Sequence, residues 1–260
     1  MGNLSNIGRI FYGLAIAAIG VLTIYLTDFP YFMIPPNHHW ISDLPILIYI
    51  LGALLTLAGA FIIINIKTME VSLLLGSLLL LIFCFYFVPY ELLVSPNSRH
   101  FGAWENAAKE MSLCGGAFVM ALGFSNDSQN PLMLFLKKLI PAGPILFSLT
   151  IISFSIDHFL YATEAAGYVP SWVPNPVFWL YLTGAALLGS GLAILFKIKA
   201  GLAAFLLGSM ILIWVIILHI PRVVAAPASD LGGEVSSAFL ALACCGIAFV
   251  IAGKAKKAAN

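Results

Sequence analysis

The sequence predicts an all-α membrane protein in which eight transmembrane helices form two parallel four-helix repeats, with both termini on the cytoplasmic side. Three observations lead there: an apolar composition, apolar runs of membrane-spanning length, and an internal duplication. Of the 260 residues, 62% are hydrophobic and only 9% charged, where a soluble domain carries about a quarter charged residues. The apolar runs hold about 17–22 residues each, enough to cross a hydrocarbon core about 30 Å thick. None alternates apolar with polar as the strands of an outer-membrane barrel do. A formal net charge of +1 gives no electrostatic reason to expect nucleic acid. The partner that this composition demands is the lipid bilayer.

In chain order the expected spans are Gly8–Leu26, Pro45–Ile64, Val71–Pro89, Ala107–Gly123, Pro141–Tyr161, Pro176–Phe196, Ala200–Ile220 and Ser236–Ala252. The first could be mistaken for a signal peptide. Its apolar run from Ile10 to Leu26 is long for one, and Asp28-Phe29-Pro30 is no small-residue cleavage site, so it reads as a retained span. Asn6 stands where a myristoylation motif needs Ser or Thr. An even number of spans puts both termini on one side. That side collects Arg9, Lys67, Lys137, Lys138, Lys197, Lys199, Lys254, Lys256 and Lys257, against Arg99, Lys109 and Arg222 on the other. The basic side is cytoplasmic by the positive-inside rule. Residues 1–125 then form the first repeat, 126–140 a cytoplasmic linker and 141–260 the second repeat.

The duplication is visible by direct superposition. Gly52-Ala53 set over Gly184-Ala185, without a gap, brings Gly59 onto Gly191, Ile66-Lys67 onto Ile198-Lys199, Leu74-Leu75-Gly76-Ser77 onto Leu206-Leu207-Gly208-Ser209, and Pro89 onto Pro221. With small shifts, Gly8 matches Gly143 and Ala117-Phe118-Val119 matches Ala248-Phe249-Val250. Four spans per repeat give both the same orientation, related by an axis along the membrane normal. Gly52, Ala53, Gly59, Gly184, Gly189 and Gly191 read as small residues that let helix backbones approach. Cys84, Cys114, Cys244 and Cys245 fall within spans without C-x-x-C spacing, and read as small buried hydrophobes.

The second repeat carries polar residues that the first lacks. Ionisable groups are expensive in hydrocarbon and persist there mainly when they face a protein interior or a wet cavity. Ser153, Asp157 and Tyr161 are spaced to form one stripe on the fifth span, which Glu164 continues past its end. His158 adjoins it. On the seventh span His219 and Arg222 share a face near the same membrane surface. Asp157 and His158 fall on Leu22 and Thr23 of the first repeat, and His219 and Arg222 on Phe87 and Tyr90. Asp157, His158, His219 and Arg222 are therefore the candidate catalytic residues. Ser153, Tyr161, Glu164, Trp172 and Trp179 are the candidate ligand-binding residues. Arg222 is the expected counter-ion of Asp157 or Glu164, and a plain structural ion pair is the competing reading. Trp172 and Trp179 fit an interfacial aromatic belt or the wall of a pocket. Glu105 and Lys109, four residues apart, read as support for a helix start. His38-His39 reads as a solvated loop pair, since no zinc spacing is present and no metal site is expected. His158 and His219 could be the axial ligands of a haem, with no motif behind that assignment.

At these residues the chain resembles the DoxX-like family of bacterial integral membrane proteins. The resemblance lies in Asp157-His158-Phe159-Leu160-Tyr161, in Val169-Pro170-Ser171-Trp172-Val173-Pro174 leading to Phe178-Trp179-Leu180-Tyr181-Leu182-Thr183-Gly184, and in Leu218-His219-Ile220-Pro221-Arg222. Trp104-Glu105 through Lys109-Glu110, followed by Cys114-Gly115-Gly116-Ala117, is similar to the fourth span of the same unit. The family's unit has four spans, so the chain resembles two units in tandem over nearly its whole length. The resemblance implies a multi-pass protein of the bacterial inner membrane, with relatives among the small subunits of quinol-linked oxidases and thiosulfate:quinone oxidoreductases. It carries no catalytic residue set onto this chain. The expected function is quinone- or quinol-linked redox chemistry at the outer face, with a quinone as ligand and subunits of a respiratory or redox complex as partners. The alternative is a non-catalytic scaffold or assembly subunit, since the chain holds no flavin, nucleotide or iron–sulfur motif. A transporter fits least, because no broken helix stands out at the midplane.

Overall fold

The structure, a computed structural model, describes residues 3–35, 45–96, 98–124 and 130–258. These residues form helices and no strand. Eight of the helices are long: α1 (Asn3–Leu26), α2 (Ile46–Ile64), α3 (Thr68–Leu93), α4 (Trp104–Gly123), α5 (Ala142–Leu160), α6 (Pro176–Leu195), α7 (Ala200–Ala225) and α8 (Leu231–Ala258). Seven segments among the described residues are long and apolar enough to cross a membrane, and α4 is in none of them. The reason is local: α4 carries Glu105, Lys109 and Glu110 in its first two turns. The 126–140 segment expected as a linker contains a short helix, Pro131–Leu136, capped by the Asn130 side chain. His38, His39 and Trp40 lie outside the described residues.

Each helix packs on the next in sequence, and α8 returns to α1, so the eight close into a ring. α4 and α8 also meet across its centre. The inner position of α8 shows in its burial: 67% of its apolar window is covered by protein, against 22% for α7. α4 is covered along most of its length, from Ala107 to Ala121. The exposed apolar surface therefore lies mainly on the outer helices, and an inner helix need not be apolar all round.

Close backbone approach seals the ring. A Cβ on Gly246 of α8 would stand 2.8 Å from the Tyr12 backbone nitrogen of α1, and one on Gly115 of α4 would stand 2.9 Å from the Gly143 carbonyl of α5. Gly52, Gly59 and Gly191 likewise sit against neighbouring helices, but Gly189 has nothing within 4 Å. The packing role expected of Gly189 therefore does not hold, because that face of α6 is open.

Several local features recur at, or within one residue of, the offset of the expected sequence duplication. Lys67 and Lys199 start α3 and α7 in left-handed backbone conformations, φ 48° and 45°. Five-residue π-helical segments occupy Phe83–Phe87 in α3 and Val215–His219 in α7. The Cys114 thiol donates to the Gly76 carbonyl at 3.4 Å, and the Cys245 thiol donates to the Gly208 carbonyl at 3.2 Å. Cys84 differs from the expectation for the cysteines, since it is exposed.

The π segments also correct two span ends. The sequence places helix ends at Pro89 and Ile220, but α3 continues to Leu93 and α7 to Ala225. A proline removes one N–H and clashes with the carbonyl four residues back. Widening the preceding turn to i→i+5 bonding absorbs that defect and lets the helix continue.

Candidate functional site

One cavity, of about 510 Å³, lies within α5–α8 and reaches α4. Asp157 and His158 of α5 and His219 and Arg222 of α7 all line it. Their elements are locked together by side-chain bonds to backbone. The Ser155 hydroxyl donates to the Gly184 carbonyl of α6 at 2.7 Å, and a Cβ at Gly184 would meet the His158 Cβ at 3.0 Å. The Thr150 hydroxyl donates to the Ala108 carbonyl of α4 at 3.0 Å, which brings the next residue of α4, Lys109, to the cavity wall. His219 is the last residue of the π segment of α7, so the widened turn ahead of Pro221 sets its direction.

The polar groups stand near one end of the helices. Counting about 1.5 Å per residue, Asp157 and Arg222 lie about 5 Å inside the ends of α5 and α7. Deeper walls are apolar: Ile151, Leu187, Met210, Ile211, Trp214 and Leu240. At the positions that the sequence superposition pairs with Leu187, Ile211 and His219, Leu55, Leu79 and Phe87 are fully buried. Phe87, which the superposition pairs with His219, is packed into the core, whereas His219 lines the cavity.

Hydrogen bonding separates the occupied groups from the open ones. The His158 Nδ1–H donates to the Phe154 carbonyl at 2.7 Å. That bond leaves Nε2 of the neutral ring as an acceptor. Both Asp157 carboxylate oxygens and His219 Nδ1 are buried with no hydrogen-bond partner among the described residues. Such groups are normally satisfied, so their bareness marks a place for a ligand or ordered water. Both cations are already neutralised. Lys109 pairs with Glu105 at 2.8 Å. Arg222 Nε donates to Glu234 Oε2 at 2.8 Å and its Nη2 donates to Glu234 Oε1, and its guanidinium lies 4.1 Å from the centre of the Tyr168 ring.

Arg222 therefore pairs with neither Asp157 nor Glu164. The sequence reading starts the last span at Ser236 and so leaves Glu234 in a loop, whereas α8 begins at Leu231 and carries Glu234 in its first turn. Glu164 is exposed and outside the cavity. The polar stripe of α5 breaks at Tyr161, which leaves the helix with φ −115° and stacks on His100. Ser153 is half-buried and does not line the cavity. Trp172 is 67% exposed, and Trp179 donates its indole N–H to the Pro174 carbonyl, so neither forms a pocket wall. The sequence reading missed Glu234, Tyr168, Thr183 and Trp214 as lining residues, and it took Glu105 and Lys109 for a helix start. The available signal was the cluster of charges inside an otherwise apolar α4.

Glu234→Gln removes the charge that satisfies Arg222, a partly exposed pair with side-chain exposures of 27% and 10%. The expected loss is about 1–3 kcal/mol, read as a lower thermal unfolding midpoint in mild detergent. Compared with protein-family models, curated proteins and solved structures, the chain matches none.

Proposed function

We propose that this chain is a DoxX-like protein of the bacterial inner membrane that binds a quinone or quinol headgroup in the cavity of its second repeat and exchanges protons with it. Both termini are cytoplasmic, and eight helices span the bilayer as two parallel four-helix repeats. The recurrence of the left-handed turns and the π segments at one sequence offset, and of the thiol–carbonyl bonds within one residue of it, supports the repeats. The near-complete cover of α4 by protein supports counting it as a span, since its charges need not meet lipid.

The observation that carries the ligand assignment is the cavity itself: apolar in depth, with bare hydrogen-bonding groups at Asp157 and His219. Ligand pockets of this kind are apolar chambers of about 300–1,000 Å³ with a few placed polar groups. With both cations paired, the chamber suits an uncharged headgroup rather than an anion. A quinol hydroxyl would donate to His158 Nε2, and His219 would bond the opposite oxygen. Oxidation releases two protons: the Asp157 carboxylate takes one, as a positioned general base, and His158 Nε2 takes the one from the hydroxyl bonded to it. The two electrons leave to a redox partner subunit, and the chain's own groups act on the protons.

Asp157→Asn keeps the shape and removes the base. Quinol oxidation by membranes or by the co-purified complex is expected to fall about 10²–10⁴-fold, with quinone retention unchanged. Unchanged turnover would remove Asp157 from the mechanism.

A further inference from the structure

A second groove, of about 720 Å³, opens at the opposite end of the bundle, between the start of α1, the turn from α6 to α7 and the end of α8. Lys197 and Lys199 stand on its rim. Both hold left-handed backbone conformations, φ 59° and 45°, and neither is ion-paired among the described residues. Below them the walls are apolar: Leu202 and Phe205 are 57% and 44% exposed and run down α7, with Ala252 of α8 behind.

The first repeat shows what this arrangement lacks. There the matching turn runs from Asn65 through Lys67 into α3, and Glu70 occupies the first turn of that helix. At the same offset, Lys197 replaces Asn65 and Leu202 replaces Glu70. Neither helix has a side-chain cap, but α7 begins with no acid in its first turn, beside one more cation than α3 has. A negative charge is favoured at such a place by the two ammonium groups and the helix dipole together.

We propose that this groove binds one anionic phospholipid, with the phosphate between Lys197 and Lys199 and an acyl chain along Leu202 and Phe205. The apolar run below the lysines, at the surface where helices end, selects a lipid over a free anion. Basic pockets between membrane helices hold acidic headgroups in the same manner.

The test uses the full-length chain in mild detergent, titrated separately with phosphatidylglycerol, phosphatidylcholine and inorganic phosphate and read by native mass spectrometry. One phosphatidylglycerol per chain is expected to be retained, and neither of the others. K197Q/K199Q together should lower that retention about tenfold or more, whereas Lys67→Gln on the first-repeat turn should leave it within about twofold. Leu202→Glu copies the first-repeat arrangement and should expel the lipid without lowering the thermal unfolding midpoint, since the side chain is exposed and an acid is favoured in the first turn of a helix. Equal loss with Lys67→Gln would overturn the site in favour of diffuse surface charge. Phosphate retained as well as phosphatidylglycerol would reduce it to an anion site, and equal retention of phosphatidylcholine would remove the role of the lysines.

Discussion

Gly246→Leu is expected to prevent the protein from assembling. Gly246 lies where α8 crosses α1, and even a Cβ there would stand 2.8 Å from the Tyr12 backbone nitrogen. Backbone cannot swing aside as a flexible side chain can, so the two helices must separate. The cost exceeds the about 1–3 kcal/mol of ordinary overpacking, because the whole α1–α8 contact that closes the ring is lost. The readout is the monodisperse fraction in size-exclusion chromatography, with thermal unfolding of whatever remains. Gly189→Leu is the control, since nothing stands within 4 Å of a Cβ at that position. It should behave as wild type or better, because leucine is the stronger helix former. If both variants assemble equally well, the ring closure described above is wrong.

His219→Ala is expected to empty the cavity of its small-molecule ligand without unfolding the protein. His219 Nδ1 is buried and bare among the described residues, so its removal takes away the hydrogen bond proposed to the quinone and none among the described residues. Loss of one such bond corresponds to about tenfold weaker retention or more. Mass spectrometry of small molecules extracted from the purified protein, wild type beside variant, reads the result. A quinone present in the wild type and depleted in the variant is the expected outcome. A haem would announce itself by its absorbance and move His158 and His219 to the role of axial ligands. Bulk lipid alone in both samples would favour a scaffold subunit. Asp157→Asn should keep the quinone and lose turnover, so the two substitutions separate binding from proton transfer.

Much of this site was legible in the chain. Asp157 and His158 stand out in an apolar run, as do His219 and Arg222 ahead of the next loop, because charge and imidazole are costly in hydrocarbon. Their convergence on one cavity follows from matched depth. Partner choice was not legible. Arg222 meets Glu234 because α8 begins a turn and a half earlier than its apolar residues suggest, and helix ends are the least readable part of a span. Tyr161 and Glu164 fall off the stripe because α5 stops at Leu160, and ideal spacing has no meaning beyond a helix end. The prolines read as stops, yet the π segments carry both helices through them.

By itself the sequence determined the helical, apolar character of the chain, most of its membrane-length segments and the positions of its costly polar residues. These follow from composition and period, which act residue by residue. Only the tertiary structure decided that Lys109 of the first half borders the second half's cavity, that Arg222 is already neutralised, and that His219 lines a cavity whereas Phe87 is packed into the core. Those outcomes depend on how closely glycines let backbones approach and on where each helix ends, and both are properties of pairs of helices rather than of any one segment.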